Sequence, residues 1–200
     1  MHASAGLGGG PNAGGSPPKL QGRRLLVKPA KIVGHHIHPM LIVFPLGLLA
    51  VSVFFDIAYL ATHGTAFETI AFWDMLAGIV GGLAAAVFGF WDYLTIQSGT
   101  RAKRIGAWHG LNMVVVVGLF AASWFVRRMD PAYLPSSSAL TLSFIAVALA
   151  LVGGWLGGEL VERLGVAVSP DAGPNAPSSL HKDHVPVRDM REPARGRTAR

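Results

Sequence analysis

The chain has 200 residues, of which Asp, Glu, Lys and Arg make up only 14% while hydrophobic types make up 51%; that balance excludes an ordinary water-exposed globular domain. It contains no cysteine, which excludes disulfides, Cys-ligated zinc, iron–sulfur clusters, a thiol nucleophile and thioether-linked haem. The formal net charge of +6 sits beside apolar blocks rather than along a nucleic-acid-binding face, so the expected partner is a lipid bilayer and not nucleic acid.

Residues 1–33 are expected to form a disordered, basic, Gly/Pro-rich arm. The first thirty positions hold seven Gly and four Pro, too little apolar side chain to offset the entropy of ordering them. This arm lacks the charged start, short apolar run and small-residue site of a signal peptide, so no cleavage is expected. Residues 34–168 then carry four apolar stretches, about 38–61, 71–96, 108–126 and 139–162, each long enough as a helix to cross a hydrocarbon core of about 30 Å. Lengths near twenty residues rule out the tilted strands of an outer-membrane barrel. Turn signals separate them at Thr62-His63-Gly64-Thr65, Gln97-Ser98-Gly99-Thr100 and Met129-Asp130-Pro131, and such short loops imply antiparallel neighbours. Residues 169–200 read as a second disordered, basic tail. The fold class is all-α: an integral membrane four-helix bundle.

Lys19, Arg23, Arg24, Lys28 and Lys31 precede the first stretch, Arg101, Lys103 and Arg104 lie between the second and third, and Arg163 follows the fourth. The opposite side offers only Arg127 and Arg128. The asymmetry places both termini of this multi-pass chain in the cytoplasm.

Ionisable groups within such spans are costly and mark function by default. His38 and Asp56 are 18 residues apart, as are Asp74 and Asp92; that is five helical turns, or roughly 27 Å along one face. Antiparallel threading brings His38, Asp92, His109 and Glu159 to similar depth, with Asn112 one turn deeper than His109. Asp56 and Asp74 form a second layer at the other surface. Gly78, Gly82, Ala85 and Gly89 make a small-residue stripe that Asp74 and Asp92 extend, so both acids are expected to face another helix. Gly153, Gly154, Gly157 and Gly158 predict a second close crossing beside Glu159. The plain alternatives are that Asp74 and Asp92 merely cap or pair at the headgroups, and that His35 and His36 are interfacial. Trp73, Trp91, Trp108, Trp124 and Trp155 read as an aromatic belt rather than a cofactor box.

His38 and His109, on different helices at matched depth, can supply two axial imidazoles to one haem iron, with Asp92, Asn112 or Glu159 holding the second ring nitrogen. A divalent ion held by both histidines and a carboxylate is the weaker metal alternative. Whether His35, His36 or His38 supplies the ligand is open at this stage.

Several short motifs resemble the bacterial membrane family called domain of unknown function 2231. These are His38-Pro39 leading to Phe44-Pro45, Phe90-Trp91-Asp92-Tyr93, Trp108-His109-Gly110-Leu111-Asn112, and Gly153-Gly154-Trp155-Leu156-Gly157-Gly158-Glu159-Leu160 followed by Arg163-Leu164-Gly165-Val166. The resemblance covers about residues 34–168, and the glycine-rich motif is its most specific part. It implies a four-helix inner-membrane protein with family-like positions at His38, Asp56, Asp92, His109, Asn112 and Glu159, Asp74 matching less well. It also implies an association with Rieske-like or cytochrome c modules, so that a redox partner would be a separate protein. The leading expectation is therefore an inner-membrane redox subunit holding one b-type haem between helices 1 and 3, with no substrate-level catalysis by this chain. The rivals are a proton-linked transporter or channel using the layered acids, with oligomerisation through the glycine stripes, and a structural or assembly subunit without a site.

Overall fold

The computed structural model describes residues 28–170 and 172–180; most of the expected arm and tail lies outside the described residues. Four helices in it are long and apolar enough to cross a membrane: Ile37–Thr62, Thr65–Thr95, Arg101–Arg127 and Ser137–Arg163. The first span is built from α1 (Ile37–Leu41) and α2 (Val43–Thr62), the second is α3 (Thr65–Thr95), the third α4 (Arg101–Arg127), and the fourth α5 (Ser137–Gly158) with a π-helical turn at Glu159–Arg163. The expected all-α membrane bundle is what the chain forms.

Prolines explain the division of the first span. Pro39 lies in the first turn of α1, where no partner for its missing N–H is required. Pro45 has no N–H to offer the Leu41 carbonyl four residues back, and the helix is interrupted at Ile42. Ahead of it, β1 (Lys31–Ile32) and β2 (His35–His36) pair antiparallel with Lys31 opposite His36. Val33 and Gly34 both have positive φ (49° and 81°), as a two-residue hairpin turn with the right twist requires. The Trp91 indole N–H donates to the Lys28 carbonyl at 2.9 Å and holds this hairpin against the end of α3.

Two helices begin earlier than hydropathy suggests: α3 at Thr65 rather than near 71, and α4 at Arg101 rather than near 108. Lipid ends where charges begin, but a helix does not. Thr100 accepts the Lys103 backbone N–H on its Oγ1 at 3.1 Å, an N-cap that carries the helix start past the charged turn. At the other loops, His63 closes α2 in the left-handed conformation. Asp130 Oδ1 accepts the backbone N–H groups of Ala132 (2.8 Å) and Leu134 (3.3 Å), the Asx-type turn that proline and aspartate at this point favour. Ser136 caps α5.

The spans pack as two antiparallel hairpins, α2 with α3 and α4 with α5, joined mainly through α3 and α4. The core is a thin seam of Leu49, Val53, Met75, Ile79, Val116, Phe120 and Ala146, while Phe54, Val80, Leu83, Val87, Val114 and Leu151 stay exposed, as lipid-facing side chains do. Glycines set the closeness of approach. A Cβ on Gly78 would stand 2.7 Å from the Leu49 side chain, one on Gly82 3.2 Å from Val117, and one on Gly153 2.5 Å from Met113 Sδ. The small-residue stripe of α3 thus faces its neighbours as expected. We expect Gly78→Ala to destabilise the bundle by about 1–3 kcal/mol through overpacking. Gly47→Ala, with nothing within 4 Å of its added Cβ, should be neutral or slightly stabilising; thermal unfolding in detergent compares the two.

Candidate functional site

Polar side chains gather at both ends of the bundle. At the end where α1 and α4 begin and α3 stops, two imidazoles reach inward by the same device. His38 donates Nδ1–H to the Ala85 carbonyl of α3 at 2.9 Å, and His109 donates Nδ1–H to the Gly153 carbonyl of α5 at 3.0 Å. Each carbonyl already accepts within its helix and uses its second lone pair. Each ring also lies over the glycine four residues on: a Cβ on Gly89 would stand 2.8 Å from His38 Cε1, and one on Gly157 3.3 Å from His109 Cε1. Only a residue without a side chain leaves room for a ring beside that carbonyl.

A carbonyl can only accept, so each ring carries a proton on Nδ1, and in the neutral tautomer that this selects the lone pair lies on Nε2. Among the described residues no hydrogen bond engages either Nε2. Asn112 donates to the Leu149 carbonyl at 2.9 Å, one turn deeper.

The carboxylates at this end do something other than expected. Asp92 pairs with His36, Oδ1 to Nδ1 at 3.2 Å, and Glu159 pairs with Arg101 at 2.6 Å. Neither holds His38 or His109; backbone carbonyls take that role. The divalent-ion arrangement of both histidines and a carboxylate is not assembled, and among the described residues no three His, Asp or Glu side chains converge on a metal position. The three early histidines separate cleanly. His35 bonds the Val33 carbonyl at 3.0 Å on the exposed hairpin, His36 meets Asp92, and only His38 enters the bundle.

The opposite end holds a cluster that sequence reasoning found only in part. Arg127, counted as a loop charge from its position after the apolar stretch, is 0% exposed, as are Asp56, Glu68, Ser123 and Ser143. Arg127 Nη1 donates to Asp56 Oδ1 (2.7 Å) and Glu68 Oε2 (3.0 Å), Nη2 to Asp56 Oδ2 (2.7 Å) and Ser143 Oγ (3.2 Å), and Nε to Ser123 Oγ (3.3 Å). These use all five guanidinium N–H groups. Asp56 comes from α2, Glu68 from α3, Ser123 and Arg127 from α4, and Ser143 from α5, so one side chain binds all four spans. Asp74 is half-buried and stands outside this network. One turn from Glu68, Phe72 stacks with Trp124 (ring centroids 5.1 Å apart) and Tyr133 (4.0 Å).

With this geometry in place, the comparison with known families is informative. The family described as "Predicted membrane protein (DUF2231)" matches residues 34–170. This chain belongs to the DUF2231 family. No curated protein and no solved structure matches it. The DUF2231 match spans both polar ends, from His38 and His109 to Asp56, Glu68 and Arg127. Glu68 was missed because its helix starts before the apolar run does; the usable signal was Thr65-Ala66-Phe67-Glu68, a threonine followed three residues on by glutamate, which marks helix starts.

Removing one partner from a buried ion cluster strands the others as uncompensated charge. We expect Arg127→Met to destabilise this DUF2231 domain by about 3–5 kcal/mol, and Arg127→Met combined with Asp56→Leu and Glu68→Gln to recover most of that loss. Unfolding of the variants in one detergent is the measurement. Equal loss in the single and triple variants would show that packing rather than charge governs this end.

Proposed function

We propose that this protein is a bacterial inner-membrane electron-transfer subunit in which His38 and His109 would hold one b-type haem between the first and third spans. The observation that carries the reading is the shared tautomer: two imidazoles from different spans, each fixed through Nδ1 to a helix carbonyl, each with Nε2 left as a lone pair. Haem iron takes neutral imidazole in that form, and a hydrogen bond at the other ring nitrogen fixes ring orientation and strengthens the ligand. Haem brings its own four equatorial nitrogens, so two protein ligands suffice, whereas a bare divalent ion would ask for a third. When bound, the group supplies one-electron transfer.

The rest is work for the chain itself. The Ala85 and Gly153 carbonyls hold the rings, and Gly89 and Gly157 let them lie close to the helix backbones. Asn112, bonded to Leu149 beside Gly153, fixes the separation of α4 and α5 where His109 sits. The surrounding helices are apolar, so in a bilayer they would limit the access of water to the two rings. The His36–Asp92 and Arg101–Glu159 pairs lie outward of the rings, where a soluble redox partner of the Rieske-like or cytochrome c type would approach. The lysine and arginine asymmetry of the loops supports cytoplasmic placement of both termini.

The test is an absorption spectrum of protein purified from haem-replete cells. A Soret band is expected, lost in His38→Ala and in His109→Ala but retained in His35→Ala. Gly89→Ala should weaken haem retention on the order of ten- to hundredfold, because its Cβ would meet the His38 ring at 2.8 Å, and Gly157→Ala should do so less. A colourless wild-type preparation without iron would remove the haem reading.

A further inference from the structure

Glu68 presents a chemical problem at the far end of the bundle that the haem reading does not touch. Its side chain is 0% exposed, Oε2 receives one hydrogen bond from Arg127 Nη1 at 3.0 Å, and Oε1 is buried without a partner. Asp56 is treated differently, for both of its oxygens are bonded to Arg127 at 2.7 Å. Arg127 has no donor left to give, since its remaining N–H groups go to Ser123 and Ser143. Among the described residues one further buried side-chain polar atom lacks a partner, Trp124 Nε1, a donor that makes no bond to Glu68.

Charge counting sharpens the point. Two ionised carboxylates against one guanidinium would leave a whole negative charge in a dry, four-helix interior, with one carboxylate oxygen unsolvated. Among the described residues the charged and polar groups facing Glu68 are Asp56 from α2, Arg127 and Ser123 from α4, and Ser143 from α5, with no second cation. A neutral carboxyl leaves one hydrogen bond unmade, whereas an anionic one leaves a charge uncompensated, and the second penalty is far the larger. A metal cation is disfavoured by the adjacent guanidinium and by the single free oxygen. The ligand that fits is a proton.

We propose that Glu68 is a proton-binding site of the membrane domain, carrying its proton on Oε1 at neutral pH while Asp56 stays ionised against Arg127. The triad is then electrically neutral when loaded, and release of the proton leaves one net negative charge at the far end of the bundle. Because one guanidinium contacts both acids, any change that weakens the Arg127–Asp56 contact frees Arg127 to ionise Glu68. The site therefore exchanges a proton in step with the Asp56–Arg127 contact that links α2 to α4.

Infrared spectroscopy of the full-length protein in lipid tests this. The wild-type spectrum at neutral pH should contain the carbonyl stretch of a protonated carboxylic acid in an apolar setting. That band should move to lower frequency when the protein is made with ¹³C-glutamate, stay in place with ¹³C-aspartate, and vanish in Glu68→Gln. Glu68→Gln should fold as well as wild type, since an amide mimics the neutral acid. Asp56→Asn should also lose the band, because Arg127 would then ionise Glu68. Absence of any protonated-carboxyl band from wild type, or a band that responds only to aspartate labelling, overturns the proposal. The isotope comparison needs no variant and is independent of whether haem is bound.

Discussion

The five N–H groups of Arg127 find acceptors on all four spans, and the arrangement of the bundle depends on that convergence. In lipid, apolar contact does little to prefer one helix neighbour over another, because acyl chains are as apolar as leucine. A buried guanidinium is different. Away from its acceptors it is a charge in hydrocarbon, so every packing that separates α2, α3 or α5 from α4 at this level carries a large penalty. The ion cluster therefore specifies which helices meet and in what vertical register, more than it adds net stability. The glycine contacts at Gly78, Gly82 and Gly153 then set how closely the specified neighbours approach.

The two ends of the bundle solve opposite problems. At the far end Arg127 is fully engaged, while Glu68 Oε1 is left without a partner. At the near end each imidazole is held by a single bond, and a nitrogen lone pair on each is left over. Saturation produces rigidity, and unsaturation produces capacity to bind. The same helices supply both: α3 carries Glu68 and, about five turns away, the Ala85–Gly89 seat for His38, while α4 carries Arg127 and His109.

Much of this was legible in the sequence. Four spans follow from apolar length, the facing of the α3 stripe from glycine spacing, and the shared depth of His38 and His109 from antiparallel threading. What was not legible has two physical sources. Hydropathy marks where hydrocarbon ends rather than where a helix ends, so Glu68 and Arg127 fell just outside the estimated spans and looked like loop charges. Composition also cannot show which acceptor a side chain will choose. Asp92 and Glu159 were natural partners for the inward histidines, yet helix carbonyls exposed by glycine at Gly89 and Gly157 took that place, leaving Asp92 to His36 and Glu159 to Arg101. Asp74 continued the stripe by arithmetic and still remained outside the cluster.

The distribution of the far-end charges along the chain has a bearing on biogenesis. Both acids, Asp56 and Glu68, are synthesised before the arginine that bonds them. The first hairpin must therefore enter the bilayer with its carboxylates either protonated or still at the headgroups, and it can settle only when the third span arrives. A ribosome-tethered intermediate ending before residue 127 lacks the guanidinium on which its three other spans converge.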